Sequence, residues 1–193
     1  PIEALEITDK FMENPVKILI QKENLTLEGI KQFYISIQRD PWKLDVLIDI
    51  YGKLSISQSI IYCNTKKTAD WLVQQLTEKD FSVQAIHSDM SSADRKEVMK
   101  LFRNGDLRVI IATDIISRGI DVQSVSIVIN YDIPQNIENY LHRIGRSGRF
   151  GRKGVAINFM TYYDIKNLHE IEKYYSTQID EMPNFDNFQD VLS

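Results

Sequence analysis

Six short runs rich in β-branched residues recur along the chain and restrict its fold more than any other feature. They are residues 33–37, 59–63, 83–86, 109–112, 125–129 and 155–159. Most of these runs are too uniformly apolar for a sheet with one face in water, so we interpret them as buried strands. The intervening segments carry apolar residues at helical spacing, as at Ala69, Leu72, Val73 and Leu76. Strands that alternate with helices predict an α/β domain with a mostly parallel sheet covered on both sides.

Length and charge limit the classes of protein to consider. The 193 residues suit one α/β domain with a short appendage better than two domains. The formal net charge of −4 argues against binding nucleic acid by bulk electrostatics, so any such contact must be local. The single cysteine, Cys63, excludes a disulfide framework and a thiolate metal cluster, and it favours a reducing compartment. No apolar stretch is long enough for a membrane span and no secretion signal is visible, so we expect no membrane association.

The two ends of the chain fit the α/β pattern less well than its middle. A short amphipathic stretch ends at Asn14 and Pro15, and the charged segment 21–29 that follows is interpreted as a linker. The C-terminal tail has no clear periodicity, and we expect it to be loosely ordered. We therefore predict a terminal segment with a linker at 1–31, the α/β domain at 32–182 and a tail at 183–193.

Polar residues follow several predicted strands at the edge where parallel α/β sheets bind ligands. In such sheets the binding crevice lies beyond the carboxyl ends of the strands. The residues found there are Asn64-Thr65, His87-Ser88-Asp89, Thr113-Asp114 and Asn130-Tyr131-Asp132. Small hydroxyl and amide groups beside helix starts suit phosphate oxygens, because free backbone N–H groups and the helix dipole point there. For any one of these residues judged alone, a capping or turn role is an equal alternative, and Asn64 or Thr65 can cap a helix that begins at Lys66.

The segment from 142 to 154 combines glycine and arginine at regular intervals. Glycines stand at 145, 148, 151 and 154, and arginines at 143, 146, 149 and 152. An interior glycine costs a helix about 1 kcal/mol relative to alanine, so the preceding helical pattern is predicted to end near Gly145. A cationic loop in an acidic protein indicates a bound anion, because the arginine fork grips phosphate and can stabilise charge during phosphoryl transfer. We interpret the loop as an arginine finger; a solvated basic turn, the alternative, leaves the glycines without a purpose.

Two elements of a complete ATP site are missing from the sequence. No segment matches the phosphate-binding pattern G-x-x-x-x-G-K-[ST], and no paired acidic run follows a strand as a magnesium-binding segment would. Arginine fingers without a phosphate cradle imply a partner lobe that supplies the cradle. The linker at the N-terminal end indicates where we expect that lobe to be attached.

Four motifs resemble those of the C-terminal domain of DEAD-box RNA helicases. Residues 59–65 are similar to motif IV, His87-Ser88-Asp89 with Arg95 to motif IVa and the element after it, 112–121 to motif V and 142–149 to motif VI. The resemblance covers essentially the whole chain, and 22–32 and 144–153 are similar to the initiation factor 4A branch, which includes the exon-junction paralogue. It implies a RecA-like three-layer sandwich of the P-loop NTPase superfamily. Residues 1 to about 14 would then be the last helix of a first RecA-like domain.

The resemblance also implies roles for individual residues. Arg146 and Arg149 would be the fingers on the γ-phosphate of ATP, and His142 would help to couple ATP to RNA. Asp121, with Gly119, would bind the nucleotide at the ribose, and Mg²⁺ would be held by the first RecA-like domain. The residues along the RNA backbone would be Asn64, Thr65, Asp89, Arg95, Thr113 and Gly119. Arg118 and Arg143 would serve the domain interface or internal salt bridges, and Ser88 departs from the glycine usual in the family.

The expected function is that of half a helicase. ATP and RNA would bridge two weakly binding lobes, close them and pry a short RNA duplex apart. We expect a cytoplasmic monomer acting in translation initiation, or a nuclear RNA clamp if it is the exon-junction paralogue. A second hypothesis is a docking module for a helical scaffold of the initiation factor 4G kind. A third, a Rossmann-like small-molecule enzyme, is disfavoured because no G-x-G-x-x-G follows the first strand.

Overall fold

The computed structural model describes residues 25–114, 125–145 and 153–183, and within these ranges the alternation of strands and helices is confirmed. The strands are β1 (Ile30–Ser36), β2 (Ser59–Cys63), β3 (Val83–Ile86), β4 (Val109–Thr113), β5 (Ile127–Asn130), β6 (Gly154–Met160) and β7 (Asp180–Glu181). The α-helices are α1 (Lys43–Lys53), α2 (Lys66–Thr77), α3 (Ser92–Arg103), α4 (Ile137–Ile144) and α5 (Ile165–Tyr175). Single 3₁₀ turns at Asp40–Trp42 and Tyr162–Asp164 precede α1 and α5.

The strands form one sheet in the order β3-β4-β2-β5-β6-β1-β7. Every neighbouring pair is parallel, so all carboxyl ends lie at the same edge. After β4 the chain crosses to the other side of β2 to form β5, and the strand order reverses there. In open α/β sheets a reversal of this kind opens a crevice between the loops that follow the strands. The loops after β2, β4 and β5 therefore border the natural binding position of this fold.

Alternate residues of each strand point to opposite faces of the sheet, and helices cover both faces. Ile61 packs with Leu47 of α1 and Leu72 of α2 in one apolar cluster. The neighbouring Ile60 belongs to a second cluster that includes Phe102 of α3, and α4 and α5 also contribute to it. The predicted three-layer α/β sandwich is thus confirmed, and the strands are buried as the uniformly apolar runs required.

Short polar side chains fix where the helices begin. The Thr65 hydroxyl accepts a hydrogen bond from the Thr68 backbone N–H at 3.2 Å, so Thr65 caps α2 as predicted. Ser91 caps α3 in the same way, and Asn136 caps α4. Such caps satisfy backbone N–H groups that have no partner within the helix. Two of these caps, Thr65 and Asn136, lie in loops that follow β2 and β5 and so hold two helices at the crevice.

The described structure begins inside the segment that was assigned to the linker. Gly29 has a φ of 78°, and the Ile30 backbone N–H closes a turn onto the Leu27 carbonyl oxygen. This turn delivers Ile30 into the core as the first residue of β1. The expectations for residues 1–24 and 184–193 lie outside the described residues. Across the three described ranges, no helix is long and apolar enough to cross a membrane.

Candidate functional site

A completely buried arginine, Arg143, lies beneath the loops that border the crevice. It lies on the inner face of α4 with Tyr140 and Ile144, as their helical spacing requires. Nε and Nη2 donate to the two carboxylate oxygens of Asp114 at 2.5 and 2.7 Å. Nη2 also donates to Asn64 Oδ1 at 2.6 Å, and Nη1 donates to Asn130 Oδ1 at 3.1 Å and to the backbone carbonyl of Asp132 at 2.6 Å. All five N–H groups of the guanidinium are therefore used.

Apart from Asn130, the last residue of β5, the partners of Arg143 come from three different loops. Asn64 follows β2, Asp114 follows β4, and Asp132 lies just beyond β5. The planar guanidinium also lies over the Tyr62 ring, with 5.4 Å from Cζ to the ring centroid. A buried cation is tolerated only when it is paired and hydrogen-bonded, and this one is. Arg143 thus joins the segments similar to motifs IV, V and VI, and it serves the internal salt bridge that was one of its two expected roles.

A second buried cation, Lys43 at the start of α1, stabilises the same crevice from the other face. Its Nζ lies 2.7 Å from Asp40 Oδ1 and 3.1 Å from Asp132 Oδ1. The other carboxylate oxygen of Asp132 accepts the backbone N–H of Asn64 at 3.0 Å. Burial acts to lower the pKa of Lys43 and is the largest single influence, but the two carboxylates together raise the pKa above its usual value. Lys43 therefore stays charged.

Asn64 and Thr113, two residues expected along RNA, differ in how their polar atoms are engaged. The Asn64 amide is committed to the protein, because Oδ1 accepts from Arg143 and Nδ2 donates to the Ile133 carbonyl at 3.0 Å. Thr113 ends β4, is buried, and its hydroxyl has no hydrogen-bond partner in the described part of the chain. A buried hydroxyl without a partner is costly, so Thr113 is the one of the two with unused bonding capacity.

The remaining described residues of the expected RNA site lie at the crevice edge on the β3 side. Thr65 is exposed and caps α2, and Asp89 is exposed and forms an ion pair with Lys66 at 2.7 Å. A hydrogen bond from Lys66 lowers the pKa of Asp89, which keeps this carboxylate ionised. Arg95 is half-buried and donates to the Met90 carbonyl at 2.8 Å. These groups offer a mixed polar surface and not a uniformly cationic one.

The expected ATP residues fall largely outside the described ranges. Arg146, Arg149, Gly119 and Asp121 lie there, as does Arg118. His142 is described: it is half-buried on α4, directly before Arg143. Helix α4 ends at Ile144, and a Cβ on Gly145 would lie 2.6 Å from the Leu141 carbonyl oxygen. The helix end near Gly145 is therefore confirmed, and the close backbone approach at Gly145 adds a steric reason for glycine.

Asn130, Tyr131 and Asp132 form the polar group at the end of β5, and the sequence pattern predicts no individual role for any of them. Asp132, with Asp114 and Lys43, supplies the charges that hold the crevice together. The available signal was a carboxylate directly after a buried strand, next to an arginine-rich helix end. As for metal ligands, no cluster of three or more His, Cys, Asp or Glu side chains occurs within residues 25–114, 125–145 and 153–183.

Comparison with known proteins agrees with this architecture. Residues 42–151 match the family described as helicase conserved C-terminal domain. An ATP-dependent RNA helicase eIF4A from Phaeosphaeria nodorum is 60% identical over 183 residues, which cover 95% of this chain and 46% of that protein. The structure of the C-terminal domain of the DEAD-box protein Dbp5 superimposes with a TM-score of 0.76 at 37% identity, covering 86% of this chain and 98% of that one. S. cerevisiae Dbp5 bound to RNA and ADP BeF3 also gives 0.76 at 37% identity, covering 89% of this chain and 46% of that one.

The chain belongs to the helicase conserved C-terminal domain family, and within it to the DEAD-box proteins. Its sequence is that of a C-terminal RecA-like domain of the eIF4A type, which confirms the resemblance read from its motifs. The chain spans about half the length of the curated eIF4A relative, 46%.

Proposed function

We propose that this chain is the C-terminal lobe of an ATP-dependent RNA helicase and supplies half of an ATP site and half of an RNA groove. One observation carries the proposal most directly. Arg143 ties α4 to the loops after β2 and β4, so the segments similar to motifs IV, V and VI meet at one crevice. The sequence similarity to eIF4A and the fold shared with Dbp5 support the same assignment.

For the ATP half, Arg146 and Arg149 act as fingers on the γ-phosphate and His142 couples the nucleotide to RNA. Asp121, with Gly119, binds the ribose. The chain lacks the phosphate-binding loop pattern, so the triphosphate and its Mg²⁺ are held by a separate N-terminal RecA-like lobe. Mg²⁺ held by that lobe would neutralise phosphate charge, and this chain would contribute the arginines that face the phosphates.

For the RNA half, the contacts are to phosphates and 2′-hydroxyls and carry no base sequence. Thr113 is buried at the end of β4 with a hydroxyl that has no hydrogen-bond partner within the described residues, and Thr65 and Arg95 border the same edge. Asp89 accepts from 2′-hydroxyls, with Lys66 offsetting its charge against phosphate. Asn64 acts through the loop that it braces, because its amide already bonds to Arg143 and Ile133. Gly119 completes the proposed set.

The mechanism is closure driven by two ligands. Each lobe alone binds weakly, and ATP with RNA bridging both lobes supplies the differential affinity that populates the closed state. Closure brings the fingers to the γ-phosphate and bends one RNA strand, which separates a short duplex, and phosphate release reopens the lobes. We assign this activity to a cytoplasmic monomer in translation initiation. The exon-junction type of RNA clamp is the alternative.

The test is Arg149→Ala in a protein that joins this chain to its phosphate-binding lobe. ATP turnover should fall by about 10³-fold or more, as for other arginine fingers, while ATP binding stays near the unmodified level. Arg152→Ala is the matched control, since it removes an equal charge from the same segment at a position without an assigned role. Unchanged turnover in Arg149→Ala, or an equal loss in the control, would contradict the finger assignment.

We also propose a scaffold partner of the initiation factor 4G kind. The described surface exposes aromatic side chains that a protein partner can cover, among them Trp71, Tyr162 and Tyr163, which are 43%, 78% and 91% exposed. The chain alone, without ATP or RNA, should bind a purified HEAT-repeat scaffold of this kind in a titration monitored by calorimetry. Absence of binding at concentrations up to about 100 µM, which corresponds to roughly −5.5 kcal/mol, would remove this role.

A further inference from the structure

A buried row of hydrogen bonds leads away from Arg143 beneath α4 and ends at Thr177, just after α5. The bonds run from Arg143 Nη1 to Asn130 Oδ1 (3.1 Å), Asn130 Nδ2 to Asn158 Oδ1 (2.8 Å), Asn158 Nδ2 to Tyr140 Oη (3.2 Å), Tyr140 Oη to Gln32 Oε1 (2.7 Å) and Gln32 Nε2 to Thr177 Oγ1 (2.7 Å). All members except Thr177 are buried. We call this set the amide row.

The hydrogen bonds of the amide row all point the same way. In each step the group nearer Arg143 donates and the next group accepts. The oxygen of each amide therefore faces toward the guanidinium, and the negative ends of the dipoles stabilise the buried cation. Aligned hydrogen bonds also polarise one another, with a gain of about 10–30% per bond. The aligned dipoles of the amide row and the positive charge of Arg143 therefore stabilise each other.

The strands and α4 place these groups by their registers. Asn130 of β5 and Asn158 of β6 are directly paired in the sheet, so their amides lie side by side on the face that α4 covers. Tyr140 and Arg143 are three residues apart on α4 and meet the two ends of this asparagine pair. Asn158 also donates to the Phe33 carbonyl of β1 at 3.1 Å. One helix is therefore held against three strands by bonds of defined direction.

Stability alone is a weak reason for this arrangement. Packing of apolar residues of similar volume often stabilises a core as well as a buried polar network does, or better. What directional bonds add is a fixed position, because they are lost when the helix slides or rotates by a fraction of its pitch. Arg146, one of the proposed fingers, comes directly after Gly145, the C-cap residue of α4.

We propose that Asn158, Tyr140 and Gln32 are positioning residues for the ATP site, acting through Arg143. The amide row fixes the rotation of the guanidinium and the position of α4 on the sheet, and it makes that position depend on Thr177, which follows α5. This inference rests on the proposed function, because the position of α4 affects turnover only if the arginine fingers that follow it act on ATP.

The first measurement needs only this chain. The Nε–H of Arg143 should give a resolved nitrogen–proton resonance that exchanges slowly with water, since it is buried and bonded to Asp114. Asn158→Leu breaks the row in its middle and should shift this resonance and speed its exchange about tenfold, because the buried Asn130 amide that bonds to Arg143 loses its own acceptor. Ile157→Val, on the same strand but in the opposite cluster, should leave it unchanged.

Turnover is then measured in a protein that joins this chain to its phosphate-binding lobe. Asn158→Leu should lower kcat about tenfold or more with KM for ATP within about twofold, because small misplacements of a catalytic group cost rate and not ground-state binding. Thr177→Val, at the half-buried end of the row, should lower kcat less but in the same sense. Ile157→Val should leave both constants near those of the unmodified protein.

The outcomes separate the two proposals. Two results would overturn the positioning role, provided that Arg149→Ala abolishes turnover in the same assay. One is an Arg143 Nε–H resonance that exchanges slowly and does not change in Asn158→Leu. The other is a kcat of Asn158→Leu equal to that of Ile157→Val. If Arg149→Ala has no effect either, the proposed function fails and the resonance alone decides about the row. If Asn158→Leu does not fold, Thr177→Val decides, and a resonance and kcat unchanged in that variant overturn the role.

Discussion

Consecutive residues of β2 and β5 point to opposite faces of the sheet, and the two faces contain different chemistry. The face under α1 and α2 is filled by residues such as Leu47, Ile61 and Leu72. Its polar groups lie toward its borders, at the Tyr51–Ser59 pair and at Lys43. The face under α4 instead buries a charged arginine and the amide row through its centre.

The difference shows that one face of the sheet can stabilise the fold while the other face fixes the positions of the crevice residues. Apolar packing tolerates exchanges of similar volume and fixes position only loosely. Bonds between Arg143 and the loops after β2, β4 and β5 require one arrangement, and they cost desolvation. The apolar face therefore supplies a rigid support, and the polar face uses that support to hold the crevice residues in place.

The largest expected effect comes from removing the cation that the polar face is built around. Arg143→Met should lower the free energy of unfolding by about 3–5 kcal/mol, because it removes a buried cation and all five of its hydrogen bonds to the crevice loops and β5. Arg143→Lys keeps the charge but not the five-donor fork, and it should recover only part of this loss. The measurement is urea-induced unfolding of this chain. On the apolar face, Leu72→Ala should cost about 2–5 kcal/mol through its cavity, without shifting the Arg143 Nε–H resonance.

If Arg143→Met lowered the free energy of unfolding by less than about 1 kcal/mol, the polar face would tolerate the exchange as an apolar face does. The contrast between the two faces would then disappear. A full recovery in Arg143→Lys would show that charge alone matters and that the directions of the bonds do not.

Much of the architecture could be predicted from the apolar pattern. Each of the six predicted strands is present, because a strand buried on both faces leaves a long apolar signature. β7 was missed because its two residues, Asp180 and Glu181, are acidic and exposed. Its position follows from neighbours in space: Ile179 is buried, and the Met182 backbone N–H donates to the Tyr34 carbonyl at 2.9 Å.

The position of the site in the fold could be predicted from the sequence, but the hydrogen bonds between its residues could not. Polar residues after strands indicate the crevice, yet the partners of Arg143 come from separate parts of the chain, with Asn64 lying 79 residues away. No sequence pattern states which amide a buried arginine will bind. A usable signal was present for the amide row: Asn158 and Asn130 are polar residues within, or directly after, uniformly apolar runs that a parallel sheet brings together.

An intermediate effect concerns Tyr51, a phenol that packs against the apolar face. Burial raises the pKa of Tyr51 to about 12, although its hydrogen bond with Ser59 lowers it somewhat. A group whose pKa is raised in the folded state contributes stability below its unfolded pKa, near 10, and loses it as pH rises through about 12. The free energy of unfolding should therefore fall between pH 10 and 12, and Tyr51→Phe should fall less steeply over that window.

Lys43, whose pKa is also raised, loses its stabilising charge in the alkaline range, so the unmodified chain and Tyr51→Phe must be compared at each pH. Identical slopes for the two proteins would mean that Tyr51 is not protected from ionisation, and that this border of the apolar face is open to water.

The smallest expected effect tests whether a crevice residue can be separated from the fold that carries it. Thr65→Ala removes the cap of α2 and should lower the free energy of unfolding by about 1 kcal/mol. Thr65→Ser keeps the capping oxygen and should remain close to the unmodified chain in urea-induced unfolding. If Thr65 also contacts the RNA backbone, the alanine variant in a protein with both lobes should bind single-stranded RNA more weakly, and the serine variant should not.

Equal losses of stability in both variants would show that the methyl group, and not the cap, holds this end of the crevice. Equal RNA affinity in both would assign Thr65 to the fold alone and leave Asp89 and Arg95 as the described groups at this edge proposed to contact the backbone.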